Sequence, residues 1–476
     1  MRGRSFRPNL SRVFALTVLL LLEGCSKKPD VNLFPAGSPM SGPIHFQFAV
    51  YMLPVHRRDP QAALRQALQH YPDLKLVAEI PKDPHEMNVS GRVQKNIHKE
   101  YAPPDLHLLQ YFGRGTSREQ AQELQKSEEA FILEFAHPKT NVWTALRCAN
   151  SLIEDIARVT GGLIWDEETR EIFSPDAWHE KRQSSWTGEV PNISDQVTIH
   201  AYKDGEFTRA ITLGMDKVGL PDVVVSDFPW SDENQVGNLI NIFNQSMAEG
   251  ATFDKPANFK INLRVIKNST IRERQLKNLK PNATGWGCLS LKQGVAEEGD
   301  PENRLVLLAF DRYAGDDFHA KRDQMLSSFF GFSDSWTKVE HDNQELLEAS
   351  EKAREKLPEL RMAFNAGLKP GEFILLKAPF STSDGGTEWM WLEVSHWEGN
   401  RIKGLLQNDP LEVPDLHAGQ IVEVRGEDVF DYIRQYPDEH REGNTTGEII
   451  KKIQQAPDTV IDSPKQQEIR RICGDD

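Results

Sequence analysis

Residues able to do chemistry gather late in the chain, between Lys377 and Asp409. Asp384 and Glu388 share the short turn Asp384-Gly-Gly-Thr-Glu388, and two neighbouring carboxylates are the least equipment for acid–base hydrolysis of a glycosidic type of bond. Acids in one short turn are more often solvated than catalytic, so the turn reads first as the polar edge of a binding surface. Trp389 and Trp391 follow it directly, and exposed aromatic rings beside polar groups mark binding sites. Asn408, Asp409 and Lys377 border the same region once the intervening hairpins close. The candidate binding set is therefore Asp384, Glu388, Trp389, Trp391, Asn408 and Asp409. No residue is assigned a catalytic role, and a carboxylate hydrolase acting on envelope material is the alternative.

Elsewhere the sequence offers little chemistry. The phosphate-cradling GxxxxGK[ST], the GxGxxG fingerprint, the zincin HExxH and the nucleophile-elbow GxSxG are all absent. Ser335-Trp-Thr-Lys338 fits Ser-x-x-Lys without the partner motifs of that enzyme class and reads as a chance match. Fourteen histidines provide no pair at helical spacing beside an acid, so neither a metal nor a cofactor is expected.

The elements that must hold the candidate residues are four short apolar runs, Phe373-Ile-Leu-Leu-Lys, Trp389-Met-Trp-Leu-Glu-Val, Arg401-Ile-Lys-Gly-Leu-Leu and Gln420-Ile-Val-Glu-Val. Glycine, asparagine and proline punctuate them, at Asp384-Gly-Gly, Glu398-Gly-Asn and Asn408-Asp-Pro, as tight connections require. The pattern predicts a small, strongly bent sheet or partial barrel. Alternation places Met390, Leu392 and Val394 on one face and Trp389, Trp391 and Glu393 on the other. With the aliphatic face inward, the tryptophans are either a binding surface or packed against the preceding domain or helix.

Lys377-Ala-Pro-Phe, Asp384-Gly-Gly-Thr-Glu-Trp-Met-Trp, Gly404 with Asn408 and Pro410, Gly419 with Val422, and Asp431-Tyr432 come in an order that resembles the bacterial family named domain of unknown function 2314. Gly419-Gln420 and Asp431-Tyr432 stand where that family usually has Gly-Asp and Asp-Trp. The resemblance implies a fold and a boundary; the family has no established activity, so it implies no catalytic residue.

At the other end, Arg2, Arg4, Arg7 and Arg12 precede the apolar run Val13 to Leu22, which is too short to span a bilayer and reads as part of a signal peptide over residues 1–24. Leu22-Glu-Gly-Cys25 resembles the lipobox of bacterial lipoproteins, which implies acylation of Cys25 and an anchor in the lipid bilayer. The residues after Cys25 include no early aspartate, which resembles lipoproteins sent to the outer membrane and facing the periplasm. Loss of residues 1–24 removes four arginines and one glutamate and deepens the net charge from −15 to −18. So acidic a chain is no partner for nucleic acid; an envelope protein or component is the expected partner.

Cys148, Cys288 and Cys473 remain besides Cys25. Three cysteines leave at least one thiol unpaired; a Cys288–Cys473 bridge is one option that spacing alone does not decide. The length calls for several domains. A Pro-rich tether covers 25–43, and alternating strands and helices over 44–190 predict an α/β domain opening with a βαβ unit and carrying its helices on one face. An α+β domain follows at 195–334, where Ile211-Thr-Leu-Gly-Met and Gly219-Leu-Pro-Asp-Val-Val-Val resemble domain of unknown function 4261. A helical connector at 343–366, kinked or restarted at Pro358, leads to the module at 370–455 and a polar tail at 456–476. The fold class is α+β, with two α/β sandwich-like domains before the bent module.

Overall fold

Alternation builds the first sheet. In Ile44–Tyr51 (β1), Phe46, Phe48 and Val50 point to one face and Ala49 and Tyr51 to the other, and all five are buried. A strand covered on both faces belongs inside its sheet. With Leu74–Leu76 (β2), Met87–Lys95 (β3), Gly113–Arg114 (β4), Glu129–His137 (β5), Leu163–Asp166 (β6) and Glu171–Phe173 (β7), the order is β2-β3-β5-β1-β6-β7-β4. The structure is a computed structural model that describes residues 32–54, 58–204, 207–253, 258–280, 283–315, 317–331, 344–381, 387–407, 410, 413, 416–438, 440–453 and 470–473. The leader, Cys25, Asp384, Asn408 and Asp409 lie outside the described residues.

Two expectations for this region need correction. The helix Pro60–Ala67 follows β1 as a βαβ unit requires, but β2 is separated from β1 by β3 and β5. The cause is β3, a nine-residue strand in a stretch that reads as polar. Its Asn88 and Ser90 are buried beside Val89, and Leu64 of the helix presses so close that a Cβ on Gly91 would meet it at 2.8 Å. Helices also lie on both faces. Val142–Thr160 covers one with Leu146, Ala149, Ile153 and Ile156 and ends at Gly161, which takes the left-handed conformation; Val159 is exposed instead of sharing that stripe. The other face buries Tyr51, Leu109, Leu124 and Ile172 under short helical segments.

The second sheet is formed by Thr198–Asp204 (β8), Phe207–Leu213 (β9), Asp222–Phe228 (β10), Phe259–Asn262 (β11), Trp286–Gln293 (β12) and Leu305–Ala309 (β13), in the order β11-β12-β13-β10-β9-β8. Only β10 and β13 pair in parallel. Helices Glu233–Ala248 and Phe318–Phe330 bury Leu239, Phe243, Met325 and Phe329 against it. One continuous core runs from Phe34 to Phe330 across both sheets. A buried ion cluster crosses the same boundary: Asp166 at the end of β6 accepts from Arg182 at 2.9 Å and from Lys217 at 2.6 Å, and all three are 0–1% exposed. Burial works to raise the Asp166 pKa, but the Lys217 and Arg182 charges outweigh it and hold the carboxyl below its ordinary value. Removing one partner from such a cluster strands a buried charge, which is why it locks the two sheets together.

The stretch expected as a tether is docked from Leu33 onward. Leu33 bridges Lys292 of β12, Gly37 bridges Phe253, and Phe34 is buried. Cys288 of β12 is joined to Cys473 by a disulfide with the Cα atoms 5.6 Å apart, and Cys148 is unpaired and half-buried. No helix among the described residues is long and apolar enough to cross a membrane.

The third sheet is antiparallel throughout: Phe373–Ser381 (β14), Thr387–Glu398 (β15), Arg401–Leu406 (β16), Ile421–Arg425 (β17), Asp431–Gln435 (β18) and Arg441–Gly443 (β19), in the order β17-β16-β15-β14-β18-β19. It is open, not a closed barrel, and a register shift between Val394 and His396 bends β15. The helix Gln344–Asn365 continues through Pro358 without a restart.

Candidate functional site

The site is set by how the third sheet divides its two faces. Met390, Leu392 and Val394 of β15 join Ile374, Leu376 and Ala378 of β14 in a cluster closed by Ala353, Leu357, Leu360 and Phe364 of the helix Gln344–Asn365. Both halves of that helix therefore rest on the same sheet, and this packing carries it past Pro358, where the ring removes a backbone donor. The aliphatic face is inside, as alternation requires.

The opposite face is polar and aromatic and is also mostly buried. Across β14, β15 and β18, Trp391 faces Lys377, and Lys377 faces Asp431. Exposures are 7% for Trp391, 5% for Lys377, 4% for Glu393 and 0% for Asp431. The Lys377 ammonium lies 5.8 Å from the ring centres of both Trp391 and Phe430, within cation–π reach. Burial raises the Asp431 carboxyl, against hydrogen bonds from the Thr446 amide and hydroxyl at 2.8 and 2.6 Å, the Tyr432 amide, and the Lys377 charge. At the margin Trp389 and Phe430 are half-buried, with ring centres 4.3 Å apart, and Trp389 lies opposite Pro379.

The second sheet's layer meets this face at Glu393. Lys203, at the end of β8, bonds Glu393 at 3.0 Å and lies over the Trp230 ring. Asp232 is pushed up to about 6 by burial, opposed by Arg322 and reinforced by Glu393. Arg322, fully buried, donates to the Asp227 carbonyl and to Asp323. His319 stacks on Phe207 at 4.5 Å, and burial lowers its pKa. Gly419 sits at φ +77°, and a Cβ there would lie 2.5 Å from His319 Cγ, so only glycine permits this approach.

Of the residues expected in the site, Trp391 belongs to this closed seam, while Trp389 and Glu388 are half-buried at its edge. Glu388 pairs across the ladder with Phe380; its proposed acid partner Asp384 lies outside the described residues, as do Asn408 and Asp409. Sequence reasoning missed Lys203, Asp232, His319, Arg322 and Asp431. Only Asp431 had a signal, its place in the family-like string. The seam contacts from the second sheet are far off in sequence and leave no periodic mark. Among the described residues no group of three or more His, Cys, Asp or Glu is placed to hold a metal ion.

The fold and site together define an α+β protein that ends in a helix-backed, two-faced antiparallel module. Residues 343–459 match the family described as "Uncharacterized protein conserved in bacteria (DUF2314)". The match takes in the helix Gln344–Asn365 and the whole third sheet and leaves the first two sheets outside it. No curated protein and no solved structure matches the chain.

Proposed function

We propose that this is a lipid-anchored binding protein of the bacterial envelope, held at Cys25, facing the periplasm and sorted to the outer membrane, with its first two sheets as a rigid body and its C-terminal module as the part that meets a partner. The observation that carries the reading is Leu22-Glu-Gly-Cys25 behind an arginine-rich leader and a short apolar run. The Cys288–Cys473 disulfide supports it, because structural disulfides persist in oxidising compartments. On the module, the half-buried Trp389–Phe430 pair at the mouth of the seam is the surface offered to an envelope protein or component, since flat aromatics with one open side are favoured anchors. The likeness of the middle region to domain of unknown function 4261 fits the body role without adding an activity. Cys25→Ala tests the anchor: the protein should move from the membrane to the soluble envelope fraction, and unchanged membrane retention refutes the reading.

A further inference from the structure

We infer that the loop 294–300, through its exposed Val295, is the surface that rests on the bilayer; this builds on the Cys25 anchor. Leu33 pairs antiparallel with Lys292, and the Phe34 amide donates to the Leu291 carbonyl at 3.0 Å. In an antiparallel pair, each step toward the amino terminus on one strand is a step toward the carboxyl terminus on the other. The chain therefore arrives at Leu33 from the side of Gly294 and Val295. The eight residues from Cys25 to Asn32 reach at most about 28 Å when fully extended, so an acylated Cys25 limits Leu33 to about that distance from the membrane.

The loop is braced where Val295 leaves the strand. Arg209, 2% exposed, grips Asp300 through both guanidinium nitrogens at 3.0 and 2.7 Å, donates to the Val295 carbonyl at 3.3 Å, and pairs with Glu297 at 3.0 Å. The Glu297 amide returns a hydrogen bond to Asp300 at 2.8 Å. On this braced frame Val295 is 81% exposed, the highest value for a large apolar side chain among the described residues, and Leu33, bridged to Lys292, is 40% exposed. An exposed apolar side chain on a braced loop, at the end of β12 from which the chain enters, suits the headgroup boundary of a bilayer. Glu298 and Glu302 stand exposed around it, so the fit is to a zwitterionic surface and weakens as anionic lipid increases.

Val265 provides the internal control. It is 68% exposed, and because Asn262 of β11 pairs with Trp286, it lies at the opposite end of β12 from Val295. The full-length protein, purified from membranes with Cys148→Ala and either Val295→Cys or Val265→Cys, is labelled with a polarity-sensitive dye and placed in phosphatidylethanolamine–phosphatidylglycerol vesicles. The mass of the amino-terminal peptide reports acylation. With Cys25 acylated, the label at 295 should shift to the blue and be quenched by spin-labelled lipid about threefold more than the label at 265, with the difference shrinking as phosphatidylglycerol rises. Acylated protein in which 295 is quenched no more than 265 overturns this inference and leaves the anchor standing. An unacylated Cys25 with protein free in solution overturns both.

Discussion

Trp391 and Met390 lie on opposite faces of β15, yet both are buried, at 7% and 0% exposure. Replacing Trp391 by alanine should cost about 3–5 kcal/mol and Met390 by alanine about 2–5 kcal/mol, since each leaves a cavity in a filled interior. Trp389 is half-buried, with its ring 4.3 Å from that of Phe430, so Trp389→Ala should cost less, about 1 kcal/mol. Urea unfolding of the three variants separates them. A loss at Trp389 as large as that at Trp391 would show that the margin is as closed as the seam and would leave the module without an open aromatic surface. The alternation that assigns these faces was readable from the sequence, because a strand exposes its period in its own residues. The neighbours across the seam were not: Lys203 at the end of β8 reaches Glu393 and His319 of the helix Phe318–Phe330 reaches Gly419, and no local pattern announces a distant neighbour.

At the scale of elements, the four apolar runs of the module and the alternation of strands and helices over 44–190 were legible. Strands with a polar alternation were not. β3 hides behind Asn88, Ser90 and Arg92, and β19 is three residues long. The helix Gln344–Asn365 was legible as a helix but not as part of the module, because a charged stretch with one apolar stripe looks the same whether it spans or packs. Its Ala353, Leu357 and Leu360 close the core of the third sheet. A polypeptide of residues 344–453 should therefore melt cooperatively and give a dispersed amide spectrum, whereas residues 372–453 should not. Cooperative melting of the shorter piece would mean that the helix is dispensable to that core.

For the whole molecule, buried acids set the response to pH. Burial pushes Asp222 up to about 7, against hydrogen bonds from Asn303, Thr212 and the Met215 amide, and pushes Glu168 up to about 10 with Asp216 adding to it. Each group keeps its proton in the folded chain at a pH where the unfolded chain has lost it, so each contributes stability that is complete below about pH 4 and is lost as pH rises through the folded value. Asp166 and Glu442, held below their ordinary values, act in the other direction and lose stability only in acid. Between pH 5 and pH 8 the urea midpoint of the unaltered chain should fall relative to that of Asp222→Asn, and the difference should level off above about pH 7; a difference that stays constant over this range would contradict the assignment. The way the chain is tied has a mechanical result. The segment entering at Leu33 and the segment carrying Cys473 are both fastened to β12, one by pairing with Lys292 and Leu291 and the other by the bond to Cys288. Tension applied at the amino-terminal end is met first as sideways shear along β12, and the disulfide closes residues 288–473 into a covalent ring. The third sheet lies within the stretch of chain that this ring closes, so its strands stay tethered to β12 at both ends of that stretch.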